Sequence, residues 1–395
     1  MKILHINTND NGGAAIAATR LHYLLLEKGI DSKILFLKRS GTVHIKEAYY
    51  FEDIFVGKLY FKLLLKLNSI YNRRFTFYKS DIYFNGPDSL LDITGHALFK
   101  WADIIHLHWV VKFLDWKKVF KNPSKKFIWT FHDMNPFTGG EHYQTGYNGE
   151  FPMISKRNIR KKINSVKNTD LTVITPSDWL RNIVKKSEVF RSNLIKTIRN
   201  PVNADIFHIK PSDSIKEKYN IPSDKRIILF VAENPDDKRK GFDFLLKSID
   251  KLQDKDQYHL VIIGNTNSFP CIGISCTLLG AIHDENTMSD VYNSANIFII
   301  PSIEDNLPNT VSESLLCGTP VVGYKIGGIA EMVKNNINGY LSAKRGTLEN
   351  EIETALKQTF DKNNIRTEVL KELNPDQLVL QFENIYKRSV NGLGK

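Results

Sequence analysis

Cysteine is scarce in this 395-residue chain: Cys271, Cys276 and Cys317, all in the C-terminal half. So sparse and odd a set excludes a disulfide framework and points to a reducing compartment. Cys271 and Cys276 lack the neighbouring His or Cys partners that a zinc site needs, so all three cysteines read as structural. No run of about eighteen or more apolar residues occurs, which excludes a spanning helix. The N-terminus, MKILHINTND, has no signal-peptide pattern and enters a strand directly. These absences together predict a cytoplasmic location. Low-complexity linkers and solenoid-length repeats are absent too.

Charge is plentiful but uneven. The net charge is +11, yet residues 1–200 hold 32 lysines and arginines against 17 acids, and residues 201–395 hold 22 against 26. A basic half beside a mildly acidic one predicts that the N-terminal half faces something anionic. Membrane surface, lipid phosphate and nucleic acid all qualify on charge alone. The second basic run, SKRNIRKKINSVK (155–167), has no interleaved aromatic platform, which argues against nucleic acid.

Strand-like and helix-like runs alternate throughout. KILHINT, SKILFLK, DIIHLHWV, KFIWTFHD and LTVITPS read as strands of the first half. RIILFVA, YHLVIIG, NIFIIPS and PVVGY read as strands of the second. Alternation of this kind means a parallel sheet covered on both faces, and its repetition predicts two doubly wound α/β domains in tandem, with a cleft between them. The predicted boundaries are residues 1–200, 201–373 and a terminal helix, 374–395. In that helix Leu378, Phe382, Ile385 and Tyr386 form one apolar stripe, which must pack on something already folded.

The most informative stretch is 301–324, PSIEDNLPNTVSESLLCGTPVVGY. A strand ends at Pro301, a polar loop follows, and Pro308 suits the first turn of a helix that stops at Gly318. Asp305 lies in the loop and Glu313 inside the helix. Between them lies the helix start, whose N–H groups and dipole favour a phosphate. Acids on either side can take hydroxyl hydrogens. The stretch is therefore shaped for a phosphate with hydroxylated rings at both ends, as in a nucleotide-sugar.

Other positions carry chemistry. Arg239 and Lys240, in Asp237-Lys238-Arg239-Lys240-Gly241, open a helix after the first strand of the second half. There they can neutralise a diphosphate leaving group, or form a solvated turn. Gly12-Gly13 marks a strand-to-helix turn where backbone can approach a ligand, or simply turns tightly. His132 ends a strand, on the ligand side of a doubly wound sheet. It is placed to donate to a sugar hydroxyl or a phosphate, or to serve as a structural histidine. His106 and His108 alternate in a buried-looking strand, and at least one should be core. In residues 54–74, Lys58, Lys62 and Lys66 recur every four residues among Leu, Phe and Tyr. Such a helix can lie in a membrane interface, or sit on the outside of the domain with its lysines solvated.

These motifs together resemble the retaining glycosyltransferases of family 4, also called group 1, which have the GT-B fold. The strongest part is NIFIIPSIEDNLPNTVSESLLCGTPVVGYKIGGIAEMV (296–333), and WTFHDMNPFTGG (129–140), NPVNADIF (200–207) and DKRKGFDFLL (237–246) match as well. The resemblance covers nearly the whole chain and looks most like the branch that builds bacterial surface polysaccharides. It implies that the first domain binds the acceptor, the second binds the donor, and the terminal helix crosses back to the first domain.

The family's Glu-x7-Glu motif falls on Asp305 and Glu313, implying sugar and ribose contacts respectively. Asp305 is one carbon shorter than Glu, and the adjacent Glu304 can substitute. Arg239 and Lys240 match the diphosphate-holding cations, and backbone around Asn306, Leu307, Pro308, Asn309 and Thr310 would hold phosphate too. His132 matches a histidine close to the donor sugar, and Gly12-Gly13 the glycine turn at the cleft floor. Glu141 and Tyr147 stand where many relatives carry cysteines, so no metal or disulfide is implied there.

The implied activity is metal-independent, cofactor-free hexosyl transfer from a UDP- or GDP-sugar, itself a substrate, to a saccharide acceptor that is lipid-linked. Peripheral attachment to the inner face of the cell membrane would follow through residues 54–74. The alternatives are a non-catalytic subunit that binds sugar-nucleotide or glycan, and a GT-B sugar-nucleotide epimerase.

Overall fold

The computed structural model describes the chain apart from residues 41–43, 56–57, 74–76, 80–81, 266–272, 347 and 392–395. Cys271 and parts of the 54–74 segment thus lie outside the described residues. The chain forms two compact units, Met1–Pro201 together with the segment from Asp376 onward, and Val202–Pro375.

The first unit contains β1 (Lys2–Asn7), β2 (Asp31–Phe36), β3 (Ala48–Tyr50), a small hairpin of β4 (Phe77–Lys79) and β5 (Ile82–Phe84), then β6 (Ile104–Leu107), β7 (Lys126–Thr130), β8 (Leu171–Thr175) and β9 (Leu194–Thr197). Outside the hairpin these strands make one parallel sheet in the order β3-β2-β1-β6-β7-β8-β9. The order reverses between β1 and β6, so the turns after those two strands flank a topological switch point, where ligands bind in open α/β sheets.

Both sheet faces are apolar, because successive side chains point to opposite sides. Leu4, Ile105, Phe127 and Trp129 pack on one face. Ile3, Ile104, Ile128 and Ile174 pack on the other, where Leu378, Phe382, Ile385 and Tyr386 of the terminal helix, Pro375–Val390, cover them. The predicted stripe is thus the seam by which the end of the chain returns to the first unit.

The second unit repeats the plan with β10 (Arg226–Val231), β11 (Tyr258–Ile263), β12 (Ser275–Leu278), β13 (Ile297–Ile300), β14 (Val321–Tyr324) and β15 (Gly339–Ser342). Their parallel order is β12-β11-β10-β13-β14-β15, with the reversal between β10 and β13. Ile228 pairs with Ile297 across that point. Cys317 lies in this unit's core with its thiol beside the Ser289 hydroxyl, and burial pushes its pKa up to about 12, so it is a structural thiol.

Candidate functional site

In the second unit two loops meet at the switch point. The loop after β10 ends in a short turn, Lys238–Lys240, capped by the Asp237 carboxylate, which accepts from Arg239 N–H. The loop after β13 carries Glu304, Asp305 and Asn306 and runs into the helix Asn309–Leu316, with Pro308 as its N-cap rather than its first turn. Arg239 Nη1 donates to the Glu304 carbonyl at 3.0 Å and lies 3.3 Å from Asp305 Oδ2. Lys240 Nζ donates to the same oxygen at 2.8 Å. Two cations therefore converge on one buried carboxylate. Burial alone would raise the Asp305 pKa, but the charges of Lys240 and Arg239 outweigh it and hold the group below its ordinary value. Arg239 Nη2 also lies 3.3 Å from Asp237 Oδ2, so the four side chains balance in charge, beside a helix start whose N-cap has no side-chain cap. An anion is the natural complement of that arrangement.

Glu313 is buried one to two turns inside the helix, and Tyr292 Oη donates to its Oε2 at 3.1 Å. Tyr292, in the helix Glu285–Ser294, was not foreseen as a site residue. Its only sequence signal is the apolar spacing of that helix, which says core and nothing more.

Glycines set the loop. Gly241 sits at φ +71, and a Cβ there would overlap the Pro301 carbonyl. A Cβ on Gly327, at φ +47, would overlap the Asp305 carbonyl, and one on Gly328 the Asn306 carbonyl. The KIGGIAEM segment thus lies directly against the acidic loop. Replacing Gly328 with alanine is expected to push the loop off Arg239 and to cost about 2 kcal/mol of stability. Thermal unfolding checks it.

In the first unit Gly12, at φ 83, forms the N-cap of the helix Gly13–Glu27 directly after β1. The adjacent end of β6 is tied in, as Trp109 N–H donates to Asn7 Oδ1 and Thr8 N–H to the Trp109 carbonyl. His132 follows β7 and is half-buried. Its Nε2 lies 3.2 Å from His108 Nδ1, and His108 Nε2 lies 3.0 Å from His5 Nδ1. His106 beside them bonds Tyr386 and Thr130. Burial lowers the pKa of all four, to about 3 for His106 and about 4 for His132, so the row is neutral near pH 7. Both His106 and His108 are core. Among the described residues, His5, His106 and His108 also bring three ring nitrogens into metal-ligand range. Two hydroxyl partners and the His5–His108 bond already occupy these rings, and His5 Nε2 alone has no partner.

A small pocket here is lined by Trp109, Lys112, His132 and Asp133, with Gly86 and His108 beneath. Asp133 accepts from His142 Nδ1 at 2.5 Å and from Trp109 Nε1 at 2.9 Å. Burial raises its pKa, but the His142 charge and these hydrogen bonds prevail and lower it. Tyr83 stacks on Trp109 and packs against His142. Of these, only the position of Asp133 directly after His132 was legible beforehand.

Comparison with known proteins gives this geometry a context. Residues 211–371 match the family described as Glycosyl transferases group 1. An uncharacterized glycosyltransferase of Methanocaldococcus jannaschii is 24% identical over 56% of this chain and 61% of its own length. A lipopolysaccharide 1,2-N-acetylglucosaminetransferase of Salmonella typhimurium is 25% identical over 47% of this chain and 53% of its own length. The chain thus spans about half to three-fifths of these relatives.

Among solved structures, a sucrose-phosphate synthase from Thermosynechococcus elongatus superposes with a TM-score of 0.72 at 17% identity, covering 98% of both chains. Anabaena HepE in complex with UDP-glucose superposes with a TM-score of 0.67 at 15% identity, covering 98% of this chain and 99% of its own. The fold is that of the GT-B glycosyltransferases, two Rossmann-like α/β domains with a helical C-terminus.

Proposed function

We propose that the protein is a retaining, metal-independent family 4 glycosyltransferase. It moves a hexosyl group from a UDP- or GDP-sugar to a lipid-linked saccharide in bacterial surface polysaccharide synthesis, at the cytoplasmic face of the membrane. The observation that carries the reading is the convergence of Arg239 and Lys240 on the Asp305 loop, beside the start of the helix that holds Glu313.

In this reading the donor diphosphate lies against Arg239, Lys240 and the backbone of residues 306–310. Glu313, held by Tyr292, takes the ribose hydroxyls, and Asp305 or Glu304 the sugar hydroxyls. The bond from the sugar's anomeric carbon to the phosphate oxygen breaks as the acceptor oxygen bonds that carbon from the same face. The acceptor proton passes to the leaving phosphate oxygen, so no separate general base is required. Cations and helix N–H groups stabilise the charge that grows on the diphosphate. The acceptor saccharide stacks on Trp109 in the pocket beside His132, an aromatic ring offering its face to the apolar side of a sugar.

Thermal shift with UDP-, GDP- and ADP-sugars, followed by product analysis with and without saccharide acceptors, tests the proposal. A shift with one donor and a new glycosidic product of retained anomeric configuration are expected. Binding without consumption across acceptors would mark a binding subunit. An isomerised sugar formed without acceptor would mark an epimerase.

A further inference from the structure

A row of three histidines runs from the pocket into the sheet of the first unit. His132 Nε2 lies 3.2 Å from His108 Nδ1, and His108 Nε2 lies 3.0 Å from His5 Nδ1. The ring centroids stand 5.4 and 5.3 Å apart, with the planes tilted by 23° and 32°. Those separations match a hydrogen bond plus two ring radii, so the rings meet edge to edge, N–H against bare nitrogen. His132 lines the pocket at the outer end. His5 and His108 are buried, and His5 Nε2 has no partner at the inner end. The neighbouring rings offer it no acceptor. The nitrogens of His22 bond the Ser32 hydroxyl and the Lys46 carbonyl, and those of His106 bond the Tyr386 and Thr130 hydroxyls.

A neutral imidazole carries one N–H and one bare nitrogen. Burial keeps all three rings neutral near pH 7. Every N–H in such a row must point the same way, so just two arrangements keep both bonds. With the protons pointing inward, His132 is bare at Nδ1 and His5 buries an N–H that has no acceptor. With the protons pointing outward, His5 buries a bare nitrogen and His132 carries its hydrogen at Nδ1. Two effects select the outward arrangement. A buried N–H without an acceptor is a rarer orphan than a buried acceptor without a donor. The Asp133 carboxylate, next to His132, also draws protons toward the outer end. We propose that His5 and His108 are positioning residues that lock His132 in its Nδ1–H form. His132 then gives a hydrogen bond to a ligand oxygen and cannot take a proton at Nδ1. The tautomer follows from the row alone. Its bearing on turnover rests on the glycosyltransferase reading, which calls for a donor to a sugar hydroxyl or phosphate oxygen rather than a general base.

Long-range proton–nitrogen NMR on the full chain, labelled with nitrogen-15 histidine, reads which ring nitrogen carries the hydrogen. His132→Asn, which removes the His132 signals, assigns them. At about pH 7.5, above the ordinary histidine pKa, His132 should show a protonated Nδ1 and a bare Nε2. His5→Asn keeps an N–H donor where Nδ1 stood and should preserve that form. His5→Leu removes the donor and should let the Nε2–H form appear. Donor turnover should then fall about tenfold, less than for outright loss of a hydrogen-bond donor. Unchanged melting profiles confirm that the variants fold, and if His5→Leu does not, the spectrum of the intact protein decides. A protonated Nε2 on His132 in the intact protein overturns the proposal, as does an unchanged His132 tautomer in folded His5→Leu. Absence of donor turnover in the intact protein would instead strike the glycosyltransferase reading, and the spectra would still decide the tautomer.

Discussion

On the proposed glycosyltransferase reading, Lys240→Ala is expected to lower donor turnover by about a hundredfold to a thousandfold, chiefly in kcat. The reason lies in when its charge is needed. A diphosphate gains negative charge as the bond to the sugar breaks, so a cation beside it stabilises the transition state more than the bound donor. Lys240 is partly buried and fixed on Asp305 at 2.8 Å, which removes the cost of orienting it at that moment. Arg239 remains in the variant and also bonds Asp305, which keeps the loss finite.

Glu313→Gln should behave differently. The amide can still accept from Tyr292, so the helix holds, but the charged acceptor for the ribose hydroxyls is lost. A charge-assisted hydrogen bond is worth about 1.5–3 kcal/mol. That interaction is the same before and during reaction, so donor KM should rise about tenfold to a hundredfold while kcat changes little. Steady-state kinetics separate the two effects. Near-normal constants in both variants would sink the glycosyltransferase assignment.

Acidification from about pH 7 to about pH 5.5 should destabilise the first unit by roughly 3–4 kcal/mol, from His5, His106 and His108 together. Each is buried neutral, with a folded-state pKa below the ordinary value, to about 3 for His106. The unfolded chain therefore binds protons from about pH 6.5 downward while the folded unit does not. Stability present above pH 6.5 is lost as pH falls toward the folded-state values, at about 1 kcal/mol per histidine over this interval. The rings lie within 5.3 Å of one another, which raises the cost of a second proton. The groups facing them, the Tyr386 and Thr130 hydroxyls and the His22 and His132 rings, offer no compensating carboxylate.

All five tryptophans, Trp101, Trp109, Trp116, Trp129 and Trp179, belong to the first unit, so tryptophan fluorescence reports its melting alone. The midpoint should fall by about 10 °C. A fall of less than about 2 °C would show that the histidines take up protons in the folded unit.

The long buried strands were readable from apolar runs bounded by turn residues, and the terminal helix from its stripe. The short edge strands β3, β12 and β15 were not, because three or four half-polar residues carry no period of their own. The loop at 301–308 was legible because acids, proline and a helix start follow each other in sequence. Its partners in space were less so. Arg239 and Lys240 stood out by charge, whereas Tyr292 and Asp133 are ordinary residues until the fold brings them to Glu313 and Trp109. The histidine row was hidden for a similar reason. His5, His106 and His132 come from three strands or strand ends, and only the register His5 to His106 aligns them. Gly327-Gly328 was recognisable as a motif, but its physical cause, contact with the carbonyls of Asp305 and Asn306, needs coordinates.

The return of the terminal helix to the first unit has a consequence for biosynthesis. Ile3, Ile104, Ile128 and Ile174 emerge from the ribosome early, yet their cover, Leu378 to Tyr386, is made only after the whole second unit. At about 5–20 residues per second that apolar sheet face waits on the order of 10–40 s for its lid. During that interval the nascent chain is a natural client for chaperones, and a premature stop before residue 378 would leave the exposure permanent.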